Sequence, residues 1–276
     1  MTGKTISIYI PDGNARSIKI CDIDNSILQA IFIPRNKLKE ASKLNELNQQ
    51  GIYFLIGGSD EDLKPTIYIG EAEKLINRLN QHNINKEFWN KAICFISVKK
   101  NLNKAHVKFL ENYCWNKAKE INKCNVETST PAKTNLTNSE KDLVLNIYDD
   151  LKILISTLGY PILEETKKEK KNIFVCKGKD AWAEGEYSED GFIVFKGSKA
   201  NLLEVTSAEE RLKRFRQKLI LSGILKNKGN ILVFTEDYTF TSPSAASDVV
   251  LARSSNGWTS WKDKDGKNLD ERIRRK

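Results

Sequence analysis

Cysteine and histidine are scarce in this 276-residue chain, and long apolar runs are missing. The five cysteines, Cys21, Cys94, Cys114, Cys124 and Cys176, are scattered, odd in number and without a C-x-x-C pair. That spacing argues against both a disulfide framework and a zinc cluster, and it fits a reducing compartment. Runs such as "AICFISV" fall far short of the ~20 apolar residues that span a bilayer, so no membrane partner is expected. "TISIYI" near the amino terminus reads as a strand and no signal-peptide apolar region accompanies it, so a cytoplasmic protein is expected. No internal repeat is visible.

What remains is an ordinary globular composition, 39% hydrophobic and 29% charged with 15 glycines and 6 prolines. The length favours about two domains. A net charge of +9 makes polyanions, chiefly nucleic acid, the natural partners. A solvated lysine-rich surface gives the same number, so charge permits nucleic acid without requiring it.

Three β-rich runs, "TISIYI", "SIKICDI" and "ILQAIFI", are separated by the turn chemistry of "PDGNAR" and "DIDNS". They predict a short β extension over residues 1–45. Two strands follow in "GIYFLIGGSDEDLKPTIYIG", then a helix from about Ala72 to His82 with Leu75, Ile76 and Leu79 inward. "AICFISV" predicts a strand, and a long helix is expected from about Lys104 to Ile121. "VETSTPAKTNLTN" reads as a linker interrupted by Pro131. Ser139 is the expected cap of a helix whose Leu143, Ile147, Leu151, Leu154 and Leu158 share a face, ended by Gly159 and Pro161. "EETKKEKKN" is a second, charged linker. Hairpins in "AWAEGEY" and "FIVFKG", a helix capped by Ser207 and Glu210, the strand "NILVFT" and a helix opened by "SPSAAS" complete the chain. The expected division is residues 1–45, 46–130, a helix-containing linker over 131–171, and 172–276.

Tyr53 and Tyr68 fall on neighbouring strands, where packing alone explains a single tyrosine. Arg78 and His82 share a helix face because i and i+4 are neighbours. In "NKAHVKFLENYCWNKAKEI" the apolar stripe is Val107, Leu110, Cys114, Ala118 and Ile121, and Glu111 lies on its edge. The opposite face, with Lys108, Asn112 and Lys119, reads as conventionally polar. A carboxylate directed at the body of the domain needs a metal or an arginine beside it. A glutamate reaching from the edge to water is the plainer reading. A lone histidine such as His82 or His106 is usually structural.

"GIY" at 51–53, "YIG" at 68–70, Arg78 in the following helix and Glu111 in a later one together resemble the GIY-YIG endonuclease family over residues 46–130. The resemblance implies an α+β fold: a small antiparallel sheet flanked by helices, preceded by the short β extension and followed by a second α+β domain. It also implies a metal-dependent endonuclease that hydrolyses DNA phosphodiester bonds, with one Mg2+ or Mn2+ held by Glu111 and waters. In that scheme Tyr53 positions or deprotonates the attacking water and Tyr68 contacts the scissile phosphate. Arg78 neutralises the phosphate in the transition state, and His82 assists proton transfer. A late asparagine supports such sites, with Asn125 the candidate and Asn122 and Asn116 competing. Defence, restriction and repair are the settings the resemblance leaves open. The alternative is a nucleic-acid-binding protein whose nuclease fold is weak or inactive.

"EGEYSEDGFIVFKGSKA" and "SPSAASDVVLARSSNGWTSWKDKDGKNLDE" resemble a domain of unknown function often fused behind GIY-YIG domains, and "PDGNARSIKICDI" with "AIFIPR" resembles the extension of that subgroup. Ser242 and Ser244 open a helix whose free N–H groups favour an anion. Trp258 and Trp261 could stack bases, and Arg211, Lys213 and Arg214 of "RLKRFRQK" could follow a nucleic-acid backbone. An ordinary helix start, two core tryptophans and a solvated helix face are the plainer reading. "DKDG" lacks the spacing of a calcium loop and reads as a turn.

Overall fold

The computed structural model describes residues 3–58, 62–99, 101–165, 172–203 and 209–275. It is α+β, with two seven-stranded sheets lying in two units, Met1–Glu165 and Thr166–Lys276. Among the described residues no helix is long and apolar enough to cross a membrane.

The first unit contains β1 (Ile6–Tyr9), β2 (Lys19–Ile23), β3 (Leu28–Pro34), α1 (Leu38–Ala41), β4 (Gly51–Gly57), β5 (Thr66–Ala72), α2 (Leu75–Asn85), β6 (Trp89–Ser97), α3 (Lys104–Ile121), β7 (Asn125–Val126) and α4 (Asn138–Thr157). The strand order is β1-β2-β3-β6-β4-β5-β7, antiparallel except for the β5–β7 pair. The expected extension is no separate piece. β3 pairs with β6 from Leu28↔Ser97 to Pro34↔Lys91. Its residues feed both faces of the sheet, Ala30 and Phe32 into one core, Ile31 and Ile33 into the other. A strand buried on both sides reads as a continuous apolar run, as "AIFI" does.

α2 covers one face with Leu75, Ile76 and Leu79, and α3 and α4 cover the other. The cap of α4 is Thr137, paired with Glu140 in a reciprocal capping box, rather than Ser139. Its inward face comprises Val144, Ile147, Tyr148, Leu151, Leu154 and Ile155, while Leu143 is exposed. The segment read as a connector therefore belongs to the first core. α2 begins at Leu75 because Ala72 is still paired, opposite Gly51.

The second unit contains β8 (Phe174–Lys177), β9 (Trp182–Ser188), β10 (Gly191–Val194), β11 (Lys199–Asn201), α5 (Glu210–Leu221), β12 (Leu225–Lys228), β13 (Ile231–Phe234), β14 (Tyr238–Phe240), α6 (Pro243–Leu251), α7 (Gly257–Ser260) and α8 (Leu269–Ile273). Its strands run β12-β13-β11-β9-β10-β14, with β8 also on β9. Ser207, expected to cap α5, lies outside the described residues. Arg216 of α5 is wholly buried, its guanidinium donating to the carbonyls of Val249, Asn201 and Leu202.

Candidate active site

In β4 and β5, Tyr53 stands opposite Gly70 and Leu55 opposite Tyr68. The two tyrosines are therefore diagonal neighbours on the α2 face, and their rings stack with centroids 6.1 Å apart at 19°. Tyr53 is fully buried and its ring lies across Gly70. A Cβ at Gly70 would stand 2.5 Å from the Tyr53 Cζ. The glycine of "YIG" is thus the space through which the Tyr53 hydroxyl reaches the strand edge. Gly70→Ala is expected to lower stability by about 1–3 kcal/mol by overpacking. A thermal melt checks this, and a Tm equal to the parent's would show that the ring gives way freely.

α2 brings Arg78 and His82 onto the same hydroxyl. Arg78 Nε donates to Tyr53 Oη at 3.3 Å, and His82 Nε2 lies 2.7 Å from Oη. His82 is buried, held also by its carbonyl, which accepts from Trp89 Nε1 at 3.3 Å. Burial, with help from Arg78 and Lys86, lowers its pKa to about 4, so the ring is neutral at pH 7. Burial raises the Tyr53 phenol above its usual range, so at neutral pH the hydroxyl keeps its proton. With Arg78 donating to the oxygen, the phenol proton can be given to His82 Nε2 when the imidazole carries its own proton on Nδ1. Lys86 Nζ covers the Tyr68 ring at 4.6 Å from its centroid and pairs with Glu127 at 2.9 Å.

The other face contributes at the edge of the sheet. β7 pairs with β5 only at Thr66 and Ile67, and the Thr128 hydroxyl then bonds both the N–H and the carbonyl of Ile69. Here a cleft of about 270 Å³ opens, lined by Tyr53, Tyr68, Arg78 and Glu111 together with Gly70 and Glu71. Lys108, Pro131 and Ala132 complete its wall. Trp115 Nε1 donates to the Thr128 carbonyl and Asn112 Nδ2 to that of Pro131, which straps the segment to α3.

Glu111 is brought to the cleft by the stripe Val107, Leu110, Cys114 and Ala118, which seats α3 on the sheet. Burial and then the neighbouring Glu71 carboxylate push its pKa up to about 7. Glu71 follows Ile67 and Ile69 at strand spacing on the α3 side of β5. Among the described residues no cluster of three or more His, Cys, Asp or Glu side chains could cage a metal. A pair of carboxylates with open space suits a hard cation that keeps most of its water, such as Mg2+ or Mn2+, and is too sparse for a structural zinc.

The structure thus gathers Tyr53, Tyr68, Arg78, His82 and Glu111. Asn125 does not join them: it begins β7 opposite Thr66 and its N–H donates to the Pro65 carbonyl at 2.8 Å. Asn122 ends α3 in the left-handed conformation, and Asn116 bonds back to Asn112. Lys108, read with the polar face of α3 opposite the apolar stripe, stands three residues before Glu111 and lines the same cleft. Glu71 also escaped notice, although strict alternation from Ile67 and Ile69 locates it. His106 is structural, buried in a capping box with Asn103 and 3.5 Å from Glu140.

In the second unit Ser242 caps α6 by accepting from Ala245 N–H, and Ser244 Oγ accepts from Gly257 N–H at 3.1 Å. Trp261 is fully buried and its Nε1 donates to the Pro243 carbonyl at 3.0 Å. A Cβ on Gly257 would overlap the Pro243 carbonyl and the Ser244 nitrogen. The "SPSAA…NGW…W" pattern is therefore a lock between the start of α6 and α7, and it accounts for both serines and for Trp261 without a ligand. Trp258 is half-buried under the Arg274 guanidinium, 3.5 Å from its centroid. Arg211 and Arg214 are exposed on α5, and Lys213 pairs with Glu210 at 2.7 Å. Asp263 in "DKDG" accepts from the N–H groups of Asp265 and Lys267, as a turn does.

No curated protein and no solved structure matches the chain. Residues 174–273, nearly the whole of the second unit, match the family model of a domain of unknown function, DUF4357.

Proposed function

We propose that the first unit is a metal-dependent endonuclease of the GIY-YIG type that hydrolyses DNA phosphodiester bonds, with the second unit an accessory domain. The observation that carries this reading is the Tyr53 hydroxyl, held between Arg78 and His82 in a cleft that both Tyr53 and Glu111 line. The family match lies in the second unit, and the reading of the first rests on its residues and their geometry.

In the reaction a water oxygen bonds to phosphorus and the ester P–O bond breaks. The water proton passes to Tyr53 Oη while the phenol proton passes to His82 Nε2. A neutral imidazole is the right acceptor for it. Arg78 stabilises the charge that accumulates on the phosphoryl oxygens, and Tyr68 orients the phosphate by hydrogen bond. The leaving oxygen takes its proton from solvent. Glu111, with Glu71 beside it, would hold the divalent cation, which supplies Lewis-acid stabilisation of the phosphoryl charge.

Supercoiled plasmid, linear duplex, single-stranded DNA and RNA incubated with Mg2+ or Mn2+ test the reading. Cleavage by the parent is expected, with Tyr53→Phe slowed on the order of 10²–10³-fold, as loss of one proton-transfer or transition-state donor entails. Tyr53→Phe keeps the ring across Gly70 but leaves buried His82 Nε2 without its partner, so the chain should stay folded with a loss of about 1–3 kcal/mol. Equal rates would remove Tyr53 from the chemistry. Binding of DNA without cleavage under any metal would replace the nuclease with a nucleic-acid-binding protein on the same fold.

A further inference from the structure

Several lysines around the cleft are already engaged. Lys104 pairs with Glu73 at 2.6 Å, Lys86 with Glu127 at 2.9 Å, and Lys117 with Glu120 at 2.9 Å. Lys108 lines the cleft itself, and among the described residues it has no ion pair. It also lies on the wall opposite Arg78. Arg78 projects from α2, which covers one face of the sheet, and Lys108 from α3, which covers the other. Both side chains line one cleft at the edge of β5, past its pairing with β7 at Thr66 and Ile67.

Glu111 lines the same cleft as both cationic groups. A chain of phosphates crossing the sheet edge sets one phosphate toward Arg78 on α2 and the next toward Lys108 on α3.

We infer that Lys108 is a substrate-binding residue that contacts a phosphate next to the scissile one on the same strand. The inference rests on the nuclease reading and adds to it a second point of contact with the strand, one phosphate away from the scissile bond. The cation contributes to binding of the strand and takes no part in proton transfer. Lysine suits this task because a point charge on a flexible stem tolerates any base sequence.

The test uses the full chain and a fluorescently labelled DNA duplex in EDTA, where nothing is cut. Anisotropy gives Kd over a range of salt concentrations for the parent, Lys108→Met and Lys108→Arg. Lys108→Met is expected to weaken binding several-fold and to flatten the slope of log Kobs against log salt by about 0.9, the counterion release of one phosphate contact. Lys108→Arg is expected to restore both. In the cleavage assay Lys108→Met should raise KM with kcat nearly unchanged. A parent-like Kd and slope in folded Lys108→Met would overturn the inference and leave the nuclease intact. Failure of the parent itself to bind or cut DNA would overturn the functional reading, and the inference with it. Loss of kcat alone would show that Lys108 acts on the reacting phosphate.

Discussion

Glu111→Gln is expected to slow cleavage on the order of 10³-fold, about 4 kcal/mol of barrier, and to raise the stability of the metal-free protein above pH 7. The two effects have one cause. The carboxyl is half-buried beside Glu71, and its pKa rises from 4.5 to about 7 in the fold. Between those values the native chain holds a proton that the unfolded chain releases, so this group's contribution to stability declines as pH rises through the window. Above pH 7 the cost is complete. Discounted for the water that reaches the cleft, it amounts to roughly 1–2 kcal/mol. A neutral amide of the same shape carries no such cost. His82 runs the opposite way: with its pKa lowered to about 4, the stability it contributes is full above 6.5 and is lost as pH falls toward 4. Melting parent and Glu111→Gln in EDTA at pH 4 and pH 8 isolates the glutamate, because His82 is common to both. A Tm gain of a few degrees at pH 8, absent at pH 4, is the expected pattern. Retained cleavage would end the metal-binding role of Glu111, and an unchanged Tm at pH 8 would show that the carboxylate is stabilised by contacts within the protein.

Much of the site could be read from the sequence, because strands and helices repeat with fixed periods. Alternation places Tyr53 and Tyr68 on strand faces, and the 3.6-residue period aligns Arg78 with His82. The stripe of α3 locates Glu111. What could not be read depends on contacts between segments far apart in the chain. Nothing local to "VETSTPAK" says that Thr128 will bond Ile69 or that Pro131 will wall the cleft. Nor does a capping box announce its partner core: Thr137 and Glu140 fix the register of α4, but its docking on the first sheet depends on Val144 and Tyr148 meeting that core. β3 is legible as the β-rich run "ILQAIFI", yet its partner β6 lies some sixty residues away, and pairing at that separation leaves no short-range signal. Polar residues were the hardest case. Lys108 and Arg216 look alike in composition, yet one lines a cleft and the other is sealed in a core.

Arg216→Ala is expected to cost about 2–5 kcal/mol in the second unit, for the cavity it opens and the buried carbonyls it leaves without a donor. The basic run "RLKRFRQK" invites a reading as a nucleic-acid-binding face, and α5 divides that run. Arg211 and Arg214 are exposed, whereas Arg216 is 0% exposed and donates to carbonyls of β11, its following loop and α6. Removing it leaves Val249, Asn201 and Leu202 carbonyls short of a donor and opens a cavity as well. Arg216→Lys should fail almost as badly, because a single ammonium cannot spread donors over three carbonyls as a planar guanidinium does. Arg211→Ala and Arg214→Ala remove exposed side chains and should change stability by no more than about 0.5 kcal/mol. Urea denaturation followed by tryptophan fluorescence reports the comparison, since Trp182, Trp258 and Trp261 lie in this unit. If Arg216→Ala melts with the parent, the guanidinium is not the tie between α5 and α6. If Arg211→Ala and Arg214→Ala leave both the melt and the salt slope of DNA binding unchanged, the exposed half of the helix is solvated surface. A flatter slope with an unchanged melt would assign that half to DNA.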